Sequence, residues 1–82
     1  MPRILLVDDE RPVIMPLLHY FKSLKWDAAH AETGSEALTL AESFGPDVVL
    51  LDMKLPDMGG LEVLKQLNKL FDLTSWRKQQ SP

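Results

Sequence analysis

The stretch "ILLVDDERP", residues 4–12, decides the fold. Ile4–Val7 is an uninterrupted apolar run of strand length, the pattern of a strand covered on both faces. It ends abruptly in Asp8, Asp9 and Glu10. Pro12 follows, a residue suited to the first turn of a helix, where its missing N–H is no loss. Like charges at the mouth of a buried element repel one another and cost stability unless something positive sits among them. Two readings are open at this point. The acids cap the following helix and complement its dipole, or they hold a cation.

Outward from this stretch the pattern repeats. Ile14, Leu17, Leu18, Phe21 and Leu24 recur at helical spacing and predict a helix over Pro12–Leu24. Pro16 lies inside it and is expected to bend the early turns, because one backbone hydrogen bond is lost. Trp26–Ala31 reads as a second strand, poor in β-branched residues. Thr33 and Glu36 form a T-x-x-E capping box, in which each side chain satisfies a backbone N–H of the first turn. Ala37, Leu40, Ala41 and Phe44 then make an apolar stripe that Gly45-Pro46 terminates. "VVLL", residues 48–51, is a second apolar run, expected to be covered on both faces, and it again ends in an acid, Asp52. After the turn "LPDMGG" a third helix carries Val63, Leu64, Leu67, Leu70 and Phe71 on one face. Strand and helix alternate throughout, which argues for an α/β fold: a parallel sheet with helices on both faces and right-handed crossovers. The final stretch, "DLTSWRKQQSP", has no period and reads as an irregular tail.

Composition narrows the function classes. Eighty-two residues make one small domain, and 45% apolar with 26% charged residues describes an ordinary globular chain. A net charge of −3 with scattered basic residues argues against a nucleic-acid surface. There is no cysteine, so disulfides and thiolate metal sites are excluded. No apolar run has the length of a membrane span or a signal-peptide core, which makes the cytoplasm the expected address.

Both apolar strands end in Asp at what should be the same edge of the sheet. Ligands of open parallel sheets bind outside the carboxyl ends of the strands, and neighbouring strands lie about 4.8 Å apart. Carboxylates from the two strand ends can then share one ion. An oxygen-only set completed by water and phosphate suits Mg²⁺. Capping remains the ordinary reading of "DDE" alone, and a turn role the ordinary reading of Asp52 alone. The coincidence of both at one edge favours a site.

"ILLVDDE", "AETGSEAL" and "VVLLDMKLPDMGGLEVL" together resemble the receiver domain of two-component response regulators, over about residues 3–70. The resemblance implies a flavodoxin-like, doubly wound parallel sheet of strand order 2-1-3-4-5. It implies that the chain is a phosphoacceptor signalling module and not an enzyme, with Asp52 receiving a phosphoryl group from a sensor histidine kinase or a phosphotransfer protein. Asp9 and Asp52 would bind Mg²⁺ directly, Asp8 would act largely through water, and the backbone carbonyl of Lys54 would complete the protein's share. Pro56 and Gly60 match the sharp turn after the acceptor strand.

Departures from the family pattern are equally specific. Receivers carry a Ser or Thr after a fourth strand and a Lys after a fifth. Thr74, Ser75 and Ser81 end no apolar run, so the hydroxyl role falls on none of them. The expectation is therefore an incomplete receiver over residues 1–70, of strand order 2-1-3, truncated after the third helix and followed by a tail over 71–82. Its third strand would be an edge open to self-association. Lys25 stands where the family has Gly, and a left-handed turn there would cost about 1–2 kcal/mol. The competing reading is a phosphorylation-independent interaction module that keeps the fold's first half. A haloacid-dehalogenase-like phosphatase would need an Asp where Lys54 stands, and is set aside. His19 and His30 have no second ligand at metal spacing and read as surface or boundary residues. Met53 and Met58 read as packing.

Overall fold

The computed structural model describes residues 1–71, apart from the side chain of Phe71. Of the expected tail over 71–82, Phe71 is the last residue of the final helix, and the rest, with Thr74, Ser75 and Ser81, lies outside the described residues. The elements are β1 (Arg3–Val7), α1 (Arg11–Ser23), β2 (Asp27–Ala31), α2 (Gly34–Phe44), β3 (Val48–Leu51) and α3 (Gly60–Phe71). The three strands are parallel in the order β2-β1-β3. This is the opening part of a flavodoxin-like, doubly wound sheet.

β1 sits in the middle, with Leu5 opposite Ala29 and Val49 and Val7 opposite Ala31 and Leu51. A strand with a neighbour on each edge and helices on each face has no polar surroundings, and Ile4, Leu5, Leu6 and Val7 are accordingly all buried. Its alternate residues feed two cores. Leu5 and Val7 meet Ala31, Ala37, Ala41, Val63 and Leu67 beneath α2 and α3. Ile4 and Leu6 meet Ile14 beneath α1, with Leu17, Leu18, Phe21, Trp26 and Ala28 around them.

The second strand run departs from expectation. Val49 and Leu51 face the α2–α3 core, but Val48 and Leu50 are 44% and 48% exposed. The cause is the footprint of α1, whose core draws on β1 and β2 and takes nothing from β3. β3 is also an edge of the sheet among the described residues. The apolar face read on the third helix is likewise narrower than its sequence suggests. Val63 and Leu67 are buried, whereas Leu64 and Leu70 are 47% and 42% exposed, because a single seam of the helix meets α2 and the sheet.

Helix ends follow local chemistry. α1 runs through Pro16 without a break. Its C-terminus is a complete Schellman turn, in which the Lys25 N–H donates to the Lys22 carbonyl (3.0 Å) and the Trp26 N–H to the Phe21 carbonyl (3.1 Å). The accompanying hydrophobic contact is Phe21 against Trp26, ring centroids 5.1 Å apart. Such a turn needs a left-handed residue, and Lys25 adopts φ +69°, the conformation that the family's glycine at this position implied. The capping box at α2 is half formed: Thr33 Oγ1 accepts from the Glu36 N–H at 3.1 Å, while the Glu36 carboxylate meets the Thr33 hydroxyl at 3.4 Å. Gly45, at φ +63°, closes the helix, and the Arg3 guanidinium donates to the Phe44 carbonyl at 2.9 Å.

Candidate functional site

The strand ladders deliver the acids to one edge. The Asp8 N–H donates to the Ala31 carbonyl at 3.0 Å, and the Asp52 N–H to the Val7 carbonyl at 2.9 Å. Each Asp therefore leaves from the last rung of its strand. Asp8 and Asp52 directly follow Val7 and Leu51, which are paired residues of β1 and β3. Short bonds then fix both carboxylates against their own backbone. Asp8 Oδ1 accepts from the Glu10 N–H at 2.9 Å, and Asp52 Oδ1 from the Lys54 N–H at 3.2 Å. Both are Asx-type turns, the local geometry Asp favours where a strand ends.

One carboxylate oxygen each from Asp8, Asp9 and Glu10 lies within 4.8 Å of the others. The carboxylate of Asp52 is not in that close group; it stands beyond it, at the end of β3. Asp8 and Asp52 are half-buried and Asp9 and Glu10 exposed. The capping reading of these acids does not hold for α1. Glu10 occupies the N-cap position, but its side chain makes no cap bond, and the first turn carries no acid. Among the described residues the ion pairs are Arg3–Asp27 and Arg11–Glu32, so none of Asp8, Asp9, Glu10 or Asp52 has an internal counterion. An oxygen-only donor set with no cation of its own fits a hard divalent ion such as Mg²⁺.

The loop after β3 is held from three sides. Lys54 pairs with Gly59 in an antiparallel bridge. The Gly60 N–H donates to the Met53 carbonyl at 3.0 Å. A Cβ on Gly60 would come within 2.6 Å of the Met53 Cα and 2.9 Å of the Asp52 carbonyl oxygen, so no side chain fits there. The start of α3 thus rests directly on the backbone that carries Asp52.

Asp57 is the third hold, and sequence reasoning missed it. Its carboxylate accepts from the Gly34 N–H at 2.7 Å and the Ser35 N–H at 3.0 Å, capping α2 from the β3–α3 loop. These two backbone bonds hold its carboxyl below the ordinary carboxylate value. Nothing local marks it, since the bonds join residues more than twenty positions apart. Of the other residues considered, His19 is exposed on α1. His30 is half-buried on β2, its Nε2 without a hydrogen-bond partner. Neither histidine belongs to the acidic group.

This arrangement has relatives. The family model of the response regulator receiver domain matches residues 4–75. The chain is 40% identical over 67 residues to the alkaline phosphatase synthesis transcriptional regulatory protein PhoP of Bacillus subtilis, covering 82% of this chain and 28% of that protein. It is 39% identical over 70 residues to sporulation initiation phosphotransferase F of Bacillus subtilis, covering 85% of this chain and 56% of that one. Among solved structures it resembles a chain in the complex of the histidine kinase ThkA with the response regulator protein TrrA. The TM-score there is 0.77 and the identity 38%, over 84% of this chain and 60% of that one. The chain thus spans between a quarter and three-fifths of the length of these relatives. By its parallel β2-β1-β3 sheet, its acidic edge and the match across residues 4–75, the chain belongs to the response regulator receiver domain family.

Proposed function

We propose that the chain is a phosphoacceptor module of a two-component system, in which Asp52 receives a phosphoryl group. The observation that carries this reading is the cluster of Asp8, Asp9 and Glu10 at the sheet edge where Asp52 also ends its strand, none of the four having an ion-pair partner among the described residues. A carboxylate oxygen of Asp52 attacks phosphorus, the bond from phosphorus to the donor breaks, and the product is an acyl phosphate. From a phosphohistidine donor the broken bond is N–P; its electron pair stays on the ring nitrogen, and the imidazole takes up a proton from solvent. Asp52 Oδ1 is engaged by the Lys54 N–H, which leaves Oδ2 as the attacking atom.

Asp8, Asp9 and Asp52, with the Lys54 carbonyl, are the groups assigned to hold Mg²⁺. When bound, the ion neutralises the phosphoryl oxygens as one anion approaches another. The chain's own part is to hold the acids in place. Asp8 is fixed by Glu10, and the Asp52 backbone is braced by Gly60. The receiver role is assigned to residues 1–70, the donor to a sensor histidine kinase or a phosphotransfer protein, and the setting to the cytoplasm. The kinase assignment is supported by the likeness to a complex that contains one.

Incubation with acetyl phosphate and Mg²⁺, followed by intact-mass measurement, tests the proposal. The expected result is a gain of one phosphoryl group that Asp52→Asn abolishes. A folded protein that gains none is instead an interaction module that works without phosphorylation.

A further inference from the structure

One of the two ion pairs among the described residues stands beside the acids. Arg11, the first residue of α1, directly follows Glu10 in the chain. Its guanidinium meets the Glu32 carboxylate with two prongs, Nε to Oε1 at 3.1 Å and Nη2 to Oε2 at 3.4 Å. Glu32 in turn directly follows Ala31, whose carbonyl holds the Asp8 N–H. The pair therefore ties the start of α1 to the end of β2 at the rim of the acidic group.

Arg11 is the basic residue next in sequence to the clustered carboxylates. Arginine favours the two-pronged geometry that a carboxylate offers. Yet Arg11 pairs with Glu32, and Asp8, Asp9 and Glu10 have no ion-pair partner among the described residues. We infer that Glu32 withholds Arg11 from the acidic group and so keeps that group free for a divalent ion. Glu32 and Arg11 are positioning residues here, acting on the ion's access and not on the phosphoryl group. The inference rests on the reading of the acids as a cation site.

Removing the Glu32 charge has two consequences. It weakens the negative field around the acids, and it releases Arg11 to compete as an internal counterion. Only the second depends on Arg11. An exposed ion pair of ordinary strength would make the released guanidinium raise the apparent Mg²⁺ dissociation constant by a factor of about 2–6. Arg11 is 69% exposed and Glu32 35%, and neither belongs to a hydrophobic core, so the substitutions leave the core untouched.

The test is Mg²⁺ affinity, measured by calorimetry at fixed ionic strength, for the wild type, Glu32→Gln, Arg11→Ala and the double variant, each shown to be folded by circular dichroism. Glu32→Gln should weaken Mg²⁺ binding in the Arg11 background by about 2–6-fold more than it does in the Ala background. Arg11→Ala alone should bind Mg²⁺ as tightly as the wild type or more tightly. Equal losses in the two backgrounds would mean that only the field matters, and would overturn the role given to Arg11 while leaving the cation site standing. A folded wild type that binds no Mg²⁺ would overturn the cation site itself, and the withholding role with it.

Discussion

Replacing Lys25 by glycine should stabilise the protein, and the structure sets the size of the gain. Lys25 lies at φ +69° in the Schellman turn that ends α1. A side chain in that conformation costs about 1–2 kcal/mol, because Cβ crowds the neighbouring carbonyl oxygen. Glycine removes this strain but gives the unfolded chain more freedom, which takes back about 0.4–1 kcal/mol. The net expectation is a gain of about 0.5–1 kcal/mol, roughly 3–6 °C in melting temperature for a domain of this size. Charge must be separated from strain, since a lysine at a helix C-terminus interacts favourably with the dipole. Lys25→Ala removes the charge and keeps the strain. Urea and thermal denaturation of the wild type, Lys25→Ala and Lys25→Gly, followed by circular dichroism, therefore give the answer from the difference between the two variants. The glycine variant should be the more stable by about 1 kcal/mol. A glycine variant no more stable than the alanine one would refute the reasoning. The turn would then carry no strain, or would not retain the geometry that its paired bonds to Lys22 and Phe21 define.

The remaining predictions concern the site and its supports. Gly60→Ala should destabilise the fold by about 1–3 kcal/mol, the usual cost of forcing atoms into a filled space, because the new methyl meets the Asp52 and Met53 backbone; a denaturation midpoint unchanged from the wild type would contradict that close approach. Asp57 binds α2 as a carboxylate whose folded value lies below 3.8, so its contribution is complete above the unfolded value and fades as pH falls through the folded one. Asp57→Asn should accordingly be less stable than the wild type at neutral pH, and the gap should narrow as the solution is acidified below about pH 4; melting temperatures across that range that keep a constant gap would show that charge has no part in the cap. Mg²⁺ at some tenfold above its dissociation constant should stabilise the protein by about 1–2 kcal/mol, since it binds the folded acids alone. Asp9→Asn should reduce that stabilisation, and a melting temperature of the folded wild type indifferent to Mg²⁺ would contradict the shared site.

What the sequence determined by itself is what short-range chemistry encodes. The run Ile4–Val7, the period of Ile14, Leu17 and Phe21, the Thr33 cap and the glycine at 45 each act within a few residues. Each produced the element that its pattern implied. The left-handed Lys25 was legible only through the resemblance, from the family's glycine at that position, and a helix end then imposes that geometry on whichever residue follows. The acids at the strand ends were legible too, since a parallel sheet delivers every strand's carboxyl end to one edge. Tertiary structure decided the rest. Val48 and Leu50 read like Leu5 and Leu6, but coverage of a strand depends on where α1 lies, and α1 lies over β1 and β2. Leu64 and Leu70 show the same limit, since their spacing fits a buried face and the width of the packing seam leaves them out. Asp57 caps a helix that precedes it by more than twenty residues, and Arg11 meets Glu32 across a whole helix and strand. Such pairings have no sequence period. They arise only when folding brings distant segments together, and there the donors left open by backbone geometry find the charges that happen to arrive.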